Sequence, residues 1–206
     1  MAETFINVTE GSGKKLHTFD RTIGANSVHD EVVLLGEPYL TTYSVTTQSS
    51  GTSAATGLSH LLQVMAGASL NVYIRRIRVT QLAAATTAAQ VALVVTRLTT
   101  AGTGGTVVTP VAYDGNDSAA GATAMTLPTV KGTNGGTLWT EASYWYQTAP
   151  TSVSGLGVLL DIDFSRPRSK SLRISAGVAN GIAIQLQTAV AAATVIVAVE
   201  FSEANF

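Results

Sequence analysis

The sequence predicts an all-β protein: an antiparallel β-sandwich, with a jelly roll as its expected form and an extended N-terminal arm. Three observations predict it. Thr, Val, Ala and Gly dominate the 206 residues, and the β-branched Thr and Val favour strands. Apolar residues alternate with period 2 in most segments, while helical periodicity is weak. Turn clusters such as Ala101 to Gly105, Asp114 to Asp117, Gly132 to Gly136 and Thr151 to Gly157 recur at short intervals. Such spacing suits a sandwich or barrel and not βαβ units.

The expected strands are Leu61–Met65, Val72–Gln81, Ala89–Leu98, Thr106–Tyr113, Ala124–Pro128, Leu138–Gln147, Gly157–Phe164, Ser171–Val178, Ile182–Thr188 and Thr194–Phe201. Val158, Leu160, Ile162 and Phe164 share one strand face, and Asp161 and Asp163 take the other. The last strand is apolar on both faces until Glu200, so it should be central. In Val72 to Val79 the apolar parity switches at Arg75-Arg76, which predicts a β-bulge. Leu172, Ile174 and Val178 precede Asn180-Gly181, and Ile182, Ile184 and Leu186 follow it. Keeping both apolar faces together predicts a hairpin through a three-residue loop, Ala179-Asn180-Gly181, with Gly181 left-handed.

Residues 1–57 read differently, as an arm or strap before a sandwich over 58–206. They hold Lys14, Lys15, the pair Asp30-Glu31 and a Thr/Ser tract from Thr41 to Ser53. Their one good strand candidate is Glu31–Leu35. Ordering such a segment costs about 1–2 kcal/mol per residue, which contacts must offset. Phe5, Ile6, Leu16, Phe19 and Ile23 can supply apolar anchors. Lys14, Lys15 and Arg21 can pair with acidic groups of a partner.

Charge and chemistry exclude several functions. Twelve Lys+Arg against thirteen Asp+Glu give a net charge of −1, which argues against a phosphate-binding surface and direct nucleic-acid contact. Charged residues are 12% of the chain, about half the usual ~25%. A low charge count over 46% hydrophobic residues suggests surface covered by neighbouring subunits, and hence a homo-oligomer. There is no cysteine, so disulfides and thiol chemistry are out. No secretory signal is expected from Met1 to Glu10, and the longest apolar run, Ala189 to Phe201, is short of the ~20 residues of a membrane span.

No nucleophile elbow or phosphate loop occurs, and His17, His29 and His60 are widely spaced. The stretch Gly102 to Gly105 reads as a hairpin loop. Asp161 and Asp163, ~7 Å apart on one strand face, are explained by alternation alone. Asp114, Asn116 and Asp117 fit an Asx turn better than a calcium loop. The expectation is no enzyme, no cofactor and no metal. The basic clusters Arg75, Arg76, Arg78 and Arg166, Arg168, Lys170, Arg173 are expected to pair with a partner protein. Trp139 and Trp145 share parity with Glu141, Ser143 and Gln147, a mixed face suited to a subunit interface or to sugar stacking.

The segments Lys14 to Gly24, His60 to Met65, Val72 to Val79 and Ser171 to Gly177 resemble small virion structural proteins of tailed bacteriophages. The chain as a whole is similar to head decoration, or cement, proteins. The resemblance implies a jelly-roll or related sandwich that binds the outer lattice of the major capsid protein. It further implies a trimer as the first oligomer to test. The expected location is the outer capsid surface, after a period in the host cytoplasm. Interface residues expected on this reading are Phe5, Ile6, Lys14, Lys15, Leu16, Phe19, Arg21, Ile23, Arg75, Arg76, Trp139 and Trp145. Two alternatives stand: a tail or spike component that binds host carbohydrate, and a free-standing carbohydrate-binding sandwich.

Overall fold

The computed structural model describes residues 18–23, 26–31, 40–48, 59–83, 89–145, 157–164, 171–187 and 194–205. The chain divides into two compact units, Met1–Tyr39 and Leu40–Phe206. In the first, β1 (Thr18–Ile23) and β2 (Asn26–Glu31) form an antiparallel pair with Ile23 opposite Asn26. The expected strand Glu31–Leu35 lies outside the described residues beyond Glu31. So do Phe5, Ile6, Lys14, Lys15 and Leu16, and so do the side chains of Phe19, Arg21 and Ile23.

The second unit holds two antiparallel sheets arranged as a sandwich, with no helix among the described residues. Its strands are β3 (Thr42–Gln48), β4 (Ser59–Met65), β5 (Asn71–Ala83), β6 (Ala89–Leu98), β7 (Thr106–Val108), β8 (Val111–Ala112) and β9 (Thr123–Thr126). Then follow β10 (Asn134–Trp145), β11 (Val158–Asp163), β12 (Leu172–Ile174), β13 (Gly181–Leu186) and β14 (Thr194–Ala204). One sheet runs β11-β5-β14-β3-β8, with β12 also paired to β5. The other runs β10-β6-β13-β4-β9-β7.

The two sheets bury one shared core. Val91, Leu93 and Val95 of β6, and Ile182, Ile184 and Leu186 of β13, come from one side. Ile74, Ile77 and Val79 of β5, and Val195, Val197, Val199 and Phe201 of β14, come from the other. As its two-sided apolar run requires, β14 is central, between β5 and β3. The parity switch in β5 is a bulge: Ile77 faces Val199 and Arg76 faces Glu200, but Ile74 faces Phe201, so Arg75 is the extra residue. The bulge keeps Ile74 and Ile77 in the same core, each fully buried.

Four expectations are corrected. The Thr/Ser tract, read as strap, supplies β3, which pairs with β14 along seven residues. Tyr43 and Val45 of this strand are buried, and the Tyr43 ring stacks on Phe201 at 5.4 Å. With only two apolar residues, β3 carries too little periodicity to stand out from its Thr/Ser surroundings. The predicted hairpin across Asn180 does not form, because β12 and β13 belong to different sheets. The left-handed glycine there is Gly177, with φ 126°, and Asn180 closes the crossing by donating to the carbonyls of Ser175 and Ala176. Thr106–Tyr113, expected as one strand, breaks at Pro110 into β7 and β8, one in each sheet. Finally, Gly102 to Gly105 does not close a hairpin, since β6 and β7 are not neighbours.

Candidate functional site

The open side of the sandwich, where β10 borders one sheet and β11 and β12 border the other, carries a groove of about 630 Å³. Leu138 and Trp139 of β10, Arg97 at the end of β6, and Leu172 and Arg173 of β12 line it, with Phe164, Ser171 and Ser175. Register explains why Trp139 is there. It stands opposite Val95, Glu141 opposite Leu93 and Ser143 opposite Val91, so all three take the inward face of their sheet. The expected shared parity therefore continues along β10, and Trp145 stands opposite Ala89. The Trp145 side chain lies outside the described residues.

Trp139 is 44% exposed despite that inward parity. Its indole Nε1 donates to Glu141 Oε2 at 3.1 Å, which fixes the ring. Arg97 Nη1 donates to the carbonyl of Arg173 at 3.1 Å. Arg173 Nη2 donates to Asn71 Oδ1 at 3.1 Å, and the same oxygen accepts the N–H of Ala176. The groove is thus lined by the Trp139 indole, Arg97 and two serines, with the main chain of Arg173 held by Arg97 and the Arg173 side chain turned to Asn71.

Of these residues, the sequence pattern singles out Trp139 and places Arg173 in a basic cluster. It misses Arg97. The signal is present: Arg97 continues the parity of Val91, Leu93 and Val95, and a cation ending an apolar face marks the point where that face reaches solvent.

The second charged feature lies on the outward face of the other sheet. Arg76 Nε and Nη2 donate to the two carboxylate oxygens of Asp161 at 2.9 and 2.7 Å. The partner expected for Arg76 on another protein is therefore met within its own chain. This hydrogen bond, above all, holds the Asp161 carboxyl below the usual carboxylate range and pushes the Arg76 guanidinium up. Arg75 turns instead to Ser202, donating from Nε to Oγ at 3.1 Å. The loop after β8 forms an Asx turn, in which Asp114 Oδ1 accepts the N–H of Asn116 at 2.9 Å.

Four large apolar side chains stand out in the segment between β6 and β10. Val107, Val111, Tyr113 and Val130 are 61 to 69% exposed. Among the described residues, no three His, Asp or Glu side chains are placed to hold a metal ion. No helix of the described residues is long and apolar enough to cross a membrane. No protein-family model, no curated protein and no solved structure matches the chain.

Proposed function

We propose that the chain is a non-enzymatic structural protein of a bacteriophage virion, a decoration protein that binds the outer lattice of the major capsid protein and stabilises it. The strand order carries the reading. Lettered B to I, the strands β3, β4, β5, β6, β10, β11, β13 and β14 fall into the orders B-I-D-G and C-H-E-F. That order supports a jelly-roll reading, the double Greek key common in capsid proteins. On this reading β7, β8 and β9 are an insertion between its fourth and fifth strands.

The insertion gathers Val107, Val111, Tyr113 and Val130 at the surface. Exposed apolar side chains concentrated in one segment of a sparsely charged protein favour contact with another protein. The arm would add Phe5, Ile6, Lys14, Lys15, Leu16, Phe19, Arg21 and Ile23 to that contact. The test is the copy number in purified particles. A number matching the capsid lattice supports decoration, and a few copies per particle replace it with a tail or spike role. The second reading, a tail or spike protein that binds host carbohydrate, is favoured by the groove beside Trp139.

A further inference from the structure

Strand β10 ends its sheet: it pairs with β6 on one side, and among the described residues no strand pairs with its other side. An open edge offers a row of backbone donors and acceptors to another strand, and sheets blunt it with short strands, charges, prolines or bulges. The other edges of this sandwich are blunted. β7 and β12 have three residues each and β8 has two. β11 has six, with Asp161 and Asp163 outward and a register shift beside Val158. From Trp139 to Trp145, β10 pairs in unbroken register with Val95 to Ala89, without proline, lysine or arginine. Its one charge, Glu141, is engaged by the Trp139 indole. Trp139, Thr140, Glu141 and Ala142 are exposed in succession, so both faces of the strand are open there.

This stretch, Trp-Thr-Glu-Ala-Ser-Tyr-Trp, is nearly symmetric about Ala142. When two copies of a strand pair antiparallel, a two-fold axis normal to the sheet sets one residue opposite itself. With Ala142 on the axis, Trp139 stands opposite Trp145 of the second copy, Thr140 opposite Tyr144, and Glu141 opposite Ser143. Aromatic and polar cross-strand pairs of this kind stabilise sheets, and the carboxylate meets a hydroxyl donor. An axis at Ser143 sets Glu141 opposite Trp145, and one at Glu141 sets two carboxylates opposite each other, which destabilises.

We propose that two copies of this chain pair edge to edge along β10, antiparallel about Ala142, and continue their six-stranded sheets into one. A second copy is favoured over a strand of another protein because the edge is complementary to itself. The inference concerns how copies associate, so its failure and that of capsid decoration are independent.

Sedimentation and light scattering of the full chain at micromolar concentrations test it. The chain should form a dimer, or an assembly with an even number of copies. Ala142→Lys sets two like charges on the axis and should weaken the dimer about fivefold or more. Thermal melts check that this variant folds, and if it does not, two cysteine variants decide. The chain has no cysteine, so Ala142→Cys supplies its only thiol. Opposite Cα atoms on the axis lie ~4.5–5.5 Å apart, within reach of a disulfide, and mild oxidation should link the copies in pairs. In the same register the Cα atoms of Thr140→Cys lie roughly 14 Å apart, out of reach, and this variant should stay unlinked. A monomer at high micromolar concentration, a trimer, or a dimer that Ala142→Lys leaves intact overturns the inference. So does linkage of Thr140→Cys as fast as that of Ala142→Cys.

Discussion

Gln63 Nε2 donates to His60 Nδ1 at 2.6 Å, and both side chains are buried on β4. The orientation of the amide is decided elsewhere. Gln63 Oε1 accepts the N–H of Gly102 at 2.9 Å, so only the amide nitrogen is left to face the imidazole. His60 Nδ1 must then be an acceptor, which the neutral ring provides and the imidazolium does not.

Burial first, and the charge of Lys131 second, lower the His60 pKa from 6.5 to about 4. Between these values the unfolded chain binds the proton and the folded chain does not. The contribution is therefore complete above pH 6.5 and is lost as pH falls toward and through 4. Urea unfolding at pH 7, 5.5 and 4 should show the midpoint falling with pH. His60→Gln should flatten that fall, and an unchanged pH slope in this variant would count against the assignment.

Glu203 of β14 ties down the segment that leads into β9. Its carboxylate accepts the N–H of Gly121 at 2.9 Å and of Ala122 at 2.6 Å, and the residue is 7% exposed. Glu203→Ala leaves two backbone donors without that acceptor, at a cost of roughly 2–4 kcal/mol. Glu203→Gln keeps the shape and one acceptor oxygen, so it should cost less. Denaturant midpoints of the two variants rank them, and the prediction fails if the alanine variant is the more stable.

A chain beginning at Leu58 lacks β3. It exposes the long seam of β14 and removes the Tyr43 ring from Phe201. Such a chain should lose cooperative unfolding, whereas one beginning at Leu40, the start of the second compact unit, should keep it. Calorimetric melting of the two distinguishes these outcomes. On the decoration proposal, particle binding by the Leu40 chain would then measure what residues 1–39 contribute.

Gly177 has φ 126°, and a Cβ there would lie 3.1 Å from the Asn180 amide. Gly177→Ala should cost about 1–3 kcal/mol through backbone strain and weaken the crossing between β12 and β13. Gly115, where a Cβ meets nothing within 4 Å, provides the comparison. Gly115→Ala should leave the melting temperature almost unchanged.

The site is half legible in the sequence. An aromatic residue with polar neighbours draws notice to Trp139, but only the fold brings Arg97 and Arg173 together. Arg97 ends β6 and Arg173 lies on β12, in opposite sheets. Their meeting depends on how the two sheets align at the open edge, which no local spacing encodes.

The sequence by itself determined which side of several strands is buried. Alternation from Leu160 to Asp163 placed the two aspartates outward, although a register shift before Leu160 turns Val158 to the surface and buries Leu159. The parity switch at Arg75 marked a real bulge, and the apolar run of β14 up to Glu200 required a central strand. Tertiary structure alone decided which strands are partners. In a sandwich both sheets bury one face toward the same core, so β12 and β13 show the same inward parity whether they form a hairpin or oppose each other across it. Partner choice follows from packing and pairing summed over distant segments, as when Tyr43 reaches Phe201. A period of two residues records burial, and burial is common to both arrangements.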